Sequence, residues 1–146
     1  MQKSDILESA PFYQEVASGP ADVRSYWVKT VDDIRLRVAH WNTTESPKGT
    51  VFILQGRTEN IEKYGLTADL FHSAGYQSFA IDWRGQGLSD RLTHDRMTGH
   101  VLHFLDYQKD LAAMLEAAQR LNLPKPWFMF GHSLGACIGL RALMDD

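Results

Sequence analysis

Cysteine is almost missing from this chain of 146 residues: Cys137 stands alone, so no internal disulfide can form. That usage suits a reducing compartment. Long apolar runs are missing too. No stretch nears the ~18 apolar residues of a membrane span, which leaves at most peripheral membrane contact. The first twenty residues mix Lys3, Asp5, Glu8 and Glu15 and lack the apolar core of a secretory signal, which points to the cytoplasm. No basic block exists either. A formal net charge of -3 and a pI near 6.0 exclude a general nucleic-acid binder. Repeats and low-complexity tracts are absent. What remains is ordinary globular material, 44% hydrophobic and 23% charged, enough for one domain with a real core.

The most informative stretch runs from Trp127 to Met144. Trp127–Phe130 reads as a short buried strand and Ala136–Met144 as a helix. Between them lies Gly131-His132-Ser133-Leu134-Gly135, a Gly-x-Ser-x-Gly pentad in the strand–turn–helix setting of a nucleophile elbow. Turning a strand into a helix within a few residues strains the backbone at the serine. Glycines two positions either side remove Cβ atoms that would collide in the turn. Ser133 is therefore the candidate nucleophile, standing at the positive end of the following helix. His132 is adjacent on a sharp turn, where side chains diverge, and is expected as structural filler. Cys137 is expected as a small buried side chain facing the sheet.

Upstream, residues 1–22 form an N-terminal lead with a short helix expected around Ser4–Ala10. Ser25–Thr30 and Ile34–Trp41 alternate apolar and polar residues around Asp32-Asp33, as in an antiparallel hairpin with one half-wet face. Asn42–Gly49 is a polar loop. Thr50–Leu54 is a continuous apolar run, the mark of a strand buried on both faces. Ile61–Ala74 is expected as a helix with Ile61, Tyr64, Leu66, Leu70 and Phe71 apolar, closed by Gly75. Tyr76–Ile81 is the next strand. Phe104–Leu121 is expected as an amphipathic helix with Leu105, Leu111, Leu115 and Leu121 as its stripe. This alternation predicts an α/β fold, a mostly parallel sheet with helices on both faces. Its functional loops belong at the strand C-terminal ends, where Gln55–Glu59, Asp82–Asp90 and the elbow should converge.

Ester hydrolysis by a serine needs an oxyanion hole, commonly two preorganised backbone N–H donors. The residue after the nucleophile, Leu134, supplies one candidate. The loop after Leu54 supplies the other at Arg57, with Gly56 letting the backbone approach the substrate. The Asp82–Ser89 loop has Gly85 and Gly87 but neither the third glycine nor the following helix of a dinucleotide site. A tight turn stapled by Asp82, Arg84 and Ser89 suits it better. His94, His100 and His103 lack a carboxylate–histidine metal pattern and are expected to be solvated or capping, so no metal is implied.

Three segments together resemble the α/β-hydrolase superfamily, and within it the lysophospholipase and monoacylglycerol-lipase-like serine hydrolases. They are Gly56-Arg57-Thr58-Glu59 leading to Lys63-Tyr64, the Asp82–Ser89 loop in its D-x-R-G-x-G-x-S form, and the Gly131–Gly135 elbow. The first is similar to bacterial lysophospholipases in particular; the monoacylglycerol-lipase branch usually has His-Gly where this chain has Gln55-Gly56. The resemblance covers about residues 22–146, and implies that residues 23–146 are the N-terminal half of a hydrolase domain truncated after the elbow helix. It implies a serine ester hydrolase acting through an acyl-enzyme on a small ester or lipid-like substrate, with no cofactor. In this superfamily the triad runs Ser, Asp or Glu, then His along the chain. Residues 134–146 contain no histidine, so the acid and base are expected beyond Asp146, in a missing C-terminal half, and the 146-residue chain alone is expected to be inactive. Other acyl chemistry on the same scaffold (amidase, peptidase or acyltransferase) and a non-catalytic half-hydrolase binding module are the alternatives.

Overall fold

A computed structural model describes residues 6–42 and 45–145. Its strands are β1 (Glu8–Ser9), β2 (Val23–Lys29), β3 (Arg35–Trp41), β4 (Thr50–Leu54), β5 (Gln77–Ile81) and β6 (Trp127–Gly131). Its helices are α1 (Gln14–Ala17), α2 (Gly65–Ser73), α3 (Tyr107–Arg120) and α4 (Leu134–Met144); short 3₁₀ turns, Ile61–Tyr64 and Phe104–Asp106, lead into α2 and α3. The strands form one mixed sheet in the order β1-β2-β3-β5-β4-β6. β1, β2, β3 and β5 pair antiparallel in succession, while β5, β4 and β6 run parallel. Helices cover both faces, as the alternation of elements predicts.

The hairpin turns where the paired aspartates place it. The Thr30 hydroxyl donates to Asp32 Oδ1 (2.6 Å) and accepts from the Ile34 N–H (2.9 Å), while Asp33 adopts φ +70°. Neither strand alternates as expected: β2 buries only Ser25 and Val28, three positions apart, whereas in β3 Leu36, Arg37, Val38 and Ala39 are all buried. Lying between β2 and β5, β3 has no wet face, and its one charged interior residue, Arg37, is enclosed by carboxylates. The expected short helix near residue 10 is not formed by its described part, because Glu8 and Ser9 pair with Trp27 and Tyr26 as an edge strand. The start of that stretch lies outside the described residues. The lead nevertheless packs on the domain: Leu7 joins the core, and the Pro11 carbonyl accepts from Arg37 at 2.9 Å.

Two cores flank the sheet. Leu36, Val38, Phe52, Leu54, Phe79 and Ile81 meet α3 and α4 through Leu111, Met114, Ala118 and Ile138. Ala39, Trp41, Val51, Ile53 and Ala80 meet the α2 side through Ile61, Tyr64 and Ala68. Each fully buried large side chain contributes about 1.5–3 kcal/mol. β4 and β5 are buried along their whole length, as continuous apolar runs predict. β6 is different: it is an edge, and Phe128, Met129 and Phe130 are 45%, 42% and 41% exposed. Among the described residues no helix is long and apolar enough to cross a membrane.

Candidate active site

The three loops meet because the parallel strands end level. Leu54 pairs with Gly131 in the β4–β6 register, and the His132 N–H donates to the Leu54 carbonyl at 3.0 Å. The loop leaving β4 therefore starts beside the elbow leaving β6. Ser133 sits at φ +50°, ψ -113°, a strained conformation for a residue with a Cβ. It is exposed at the head of α4. Both flanking glycines are dictated by contact. A Cβ on Gly131 would stand 2.7 Å from Ala136 Cα, and one on Gly135 would stand 1.9 Å from the Leu54 carbonyl oxygen. Neither position could hold any other residue without moving the elbow.

Arg57 and Leu134 line one cavity of about 340 Å³ together with His100, Val101, Phe104 and Tyr107. Among the described residues neither the Arg57 nor the Leu134 backbone N–H donates to a protein acceptor. For Leu134 this follows from its place in the first helical turn, where N–H groups lack intrahelical partners. The two groups proposed from sequence as oxyanion donors thus border the same space.

A cluster that sequence reasoning left unassigned fastens this loop to the elbow. Glu59, almost buried, accepts from the Tyr64 hydroxyl through Oε2. Its Oε1 lies 2.8 Å from His132 Nδ1 and 3.3 Å from Lys63 Nζ. Burial pushes the Glu59 carboxyl up, but the bonds from Tyr64, Lys63 and His132 outweigh it and hold the group below the usual range. Burial and the Glu59 contact raise the Tyr64 phenol. His132 is therefore more than filler, since it ties the elbow to the loop carrying Arg57. The Glu59–Lys63–Tyr64 spacing was visible in the sequence, but its partner, 73 residues away along the chain, was not. Gly56 serves the same cluster: a Cβ there would meet Glu59 Oε1 at 2.7 Å and His132 Nδ1 at 2.9 Å.

The third loop is fixed from below. Asp82, fully buried, accepts from Leu88 N (3.0 Å), Ile61 N (2.9 Å) and Arg37 Nε (2.8 Å). Ser89 Oγ donates to the Asp82 carbonyl at 2.6 Å. The loop wraps around its own carboxylate, which lies so close to Gly87 that a Cβ there would stand 2.1 Å from Asp82 Oδ2. Gln86 and Trp83 then reach across to the Gly56 and Gln55 carbonyls at 3.1 and 2.8 Å. Arg84 does not staple the turn as the sequence suggests. Its guanidinium leaves the loop for Asp110 on α3 (2.8 Å) and Asp32 in the hairpin (2.9 Å). Burial raises the Asp110 carboxyl to about 6 despite that arginine.

Cys137 is exposed rather than buried. Gly135, Ile138 and Gly139 form the sheet-facing stripe of α4, and Cys137 falls outside it. His94 and His100 are exposed, and His103 stands at the N-cap of Phe104–Asp106, its N–H 3.3 Å from Asp106 Oδ2. Among the described residues no three His, Cys, Asp or Glu side chains stand together as a metal site would require.

A sheet with helices on both faces and a strained serine between a parallel strand and its helix defines an α/β hydrolase. The chain belongs to the serine aminopeptidase S33 family (Hydrolase_4), whose profile matches residues 45–146. Lysophospholipase L2 of Escherichia coli K12 is 40% identical over 112 residues, covering 74% of this chain and 32% of that protein. Monoglyceride lipase of Rattus norvegicus is 28% identical over 106 residues, covering 73% and 33%. In three dimensions the chain is similar to the Pyrococcus furiosus esterase Pf2001, with a TM-score of 0.69 at 20% identity, covering 94% of this chain and 51% of the esterase. The chain thus spans about a third of the length of these two sequence relatives.

Proposed function

We propose that this chain is the nucleophile-bearing, N-terminal half of a serine-dependent carboxylic-ester hydrolase whose substrates are lipid monoesters, lysophospholipids or monoacylglycerols. Residues 23–146 are that half and residues 1–22 its lead. The observation that carries the reading is Ser133, exposed and strained at the head of α4 and followed directly by Leu134, which lines a cavity with Arg57. Ser133 Oγ attacks the ester carbonyl carbon as its proton passes to a histidine base beyond residue 146, oriented by a carboxylate there. The Leu134 and Arg57 N–H groups bind the oxygen that becomes negative. The base returns the proton to the departing alcohol, leaving an acyl-serine that water hydrolyses. No step calls for a metal or cofactor.

The family's description favours one other reading, peptide hydrolysis from a free N-terminus. A free amine needs a carboxylate facing it. Glu59 is the carboxylate of the Arg57 loop, and its oxygens already serve Tyr64, Lys63 and His132. The test is the intact protein with Ser133→Ala, assayed on matched acyl esters and aminoacyl amides. A loss of at least 10⁴-fold in ester turnover with an unchanged melting transition is expected. Ester turnover near wild type would remove Ser133 from the mechanism, and preference for the amides would move the enzyme to peptidase chemistry. Serine-independent binding of the ester without turnover would mark a half-hydrolase binding module.

A further inference from the structure

A second hollow of about 290 Å³ abuts the one that Arg57 and Leu134 line. Gly99 borders both, and the chain passes from the first to the second between Arg57 and Thr58. Its charged lining is Arg91, Arg96 and Glu59. The lone carboxylate is already engaged by Lys63, Tyr64 and His132. The two arginines are not paired in this way. Arg91 donates only to backbone carbonyls, Nη1 to Ser89 O (3.0 Å) and Nε to Arg96 O (3.2 Å). Among the described residues neither forms an ion pair, whereas the buried Arg37 has two carboxylates and the buried Arg84 three. The nearby acids are occupied elsewhere: Asp82 holds Arg37, and Asp95 holds Met97 N and Thr98 Oγ1. Burial and the charge of Arg96 lower the Arg91 guanidinium against the opposing charge of Asp82, as two like charges near one space should.

We propose that Arg91 and Arg96 form a phosphate subsite that holds the head group of a lysophospholipid while its acyl ester lies against Ser133. The shape and chemistry agree. Planar guanidinium forks match phosphate oxygens, and the backbone carbonyls beneath Arg91 hold its fork in place. The hollow has space for roughly ten waters, more than a phosphate group displaces. The subsite deepens the ester-hydrolase reading and rests on it, selecting phosphorylated glycerol esters over neutral ones.

The experiment compares kcat/KM of the intact protein for a lysophospholipid and a monoacylglycerol with the same acyl chain. Arg91→Gln/Arg96→Gln is expected to lower the ratio of the two specificity constants about tenfold, mainly through KM. Arg91→Lys/Arg96→Lys should recover part of it, and exposed Arg96→Gln alone should shift the ratio in the same direction if the double variant folds poorly. Inorganic phosphate as competitor should inhibit lysophospholipid hydrolysis more than monoacylglycerol hydrolysis in the wild type, and this difference should vanish in the double Gln variant. A ratio unchanged in the Gln variants would overturn the subsite. So would phosphate inhibition equal for both substrates, which would mark a free-anion site unconnected with the head group. Ser133→Ala run alongside separates the two claims: turnover that survives it sinks the ester-hydrolase reading itself, whereas serine-dependent turnover with a constant ratio sinks only the subsite.

Discussion

Arg57 carries two separable groups, a backbone N–H on the cavity shared with Leu134 and an exposed guanidinium. Replacing the side chain leaves the N–H in place. Arg57→Ala in the intact protein is expected to keep turnover within about tenfold of wild type. Gly56→Val is expected to cost ~10²–10³ in kcat, the scale of losing one oxyanion donor. Its Cβ would enter the space of Glu59 Oε1 and His132 Nδ1 and force the loop away from the elbow. Steady-state kinetics on both variants decide the matter, and an equally severe loss for Arg57→Ala would transfer the role to the guanidinium. The placement of Ser133, Leu134 and Arg57 on converging loops was legible in the sequence because short motifs fix it. The contact between Glu59 and His132 was not, since it depends on β4 and β6 ending level.

At the scale of elements, small residues decided what hydrophobicity alone misread. Two of the apolar residues of the helix expected over Ile61–Ala74, Leu66 and Leu70, are 64% and 72% exposed. Gly65 and Ala68 face inward instead, and a Cβ on Gly65 would lie 2.2 Å from the Ala17 carbonyl oxygen. The same logic turns Cys137 outward on α4. In the helical stretch expected from residue 104, Leu105 is 56% exposed because Phe104–Asp106 is a 3₁₀ turn and α3 buries Tyr107, Leu111 and Met114. Periodicity located the helices, but the phase was set by how closely each backbone approaches the sheet. The strands fared better, because β4 and β5 are buried on both faces and leave continuous apolar runs. Between elements, the Glu59 clamp makes a pH prediction. Its folded carboxyl lies below the ordinary 4.5, so its stabilisation is complete above that value and lost as pH falls through the lowered one. Glu59→Gln should destabilise by about 1–3 kcal/mol at pH 7. In urea titrations the gap to wild type should narrow below pH 4.5; a gap constant down to pH 3 would contradict the assignment.

Across the whole molecule, one apolar surface follows the outer strand of the sheet. Among the described residues β6 pairs only with β4, its Phe128, Met129 and Phe130 are each over 40% exposed, and α4 adds exposed Leu140, Leu143 and Met144. A bare apolar edge of this kind is a template for further strand pairing. Residues 1–146 expressed alone are expected to self-associate in analytical ultracentrifugation and to hydrolyse esters no faster than their Ser133→Ala variant. A monodisperse monomer with serine-dependent turnover would contradict this and point to His100, on the Arg57–Leu134 cavity, as an internal base. Ser133 is the proposed nucleophile, activated from beyond residue 146. The most direct test of that role is labelling of the intact protein with a fluorophosphonate, with the modified residue located by mass spectrometry. Stoichiometric modification of Ser133, abolished when the downstream base is removed, is the expected result. An unlabelled Ser133 in a protein that still turns over esters would contradict it.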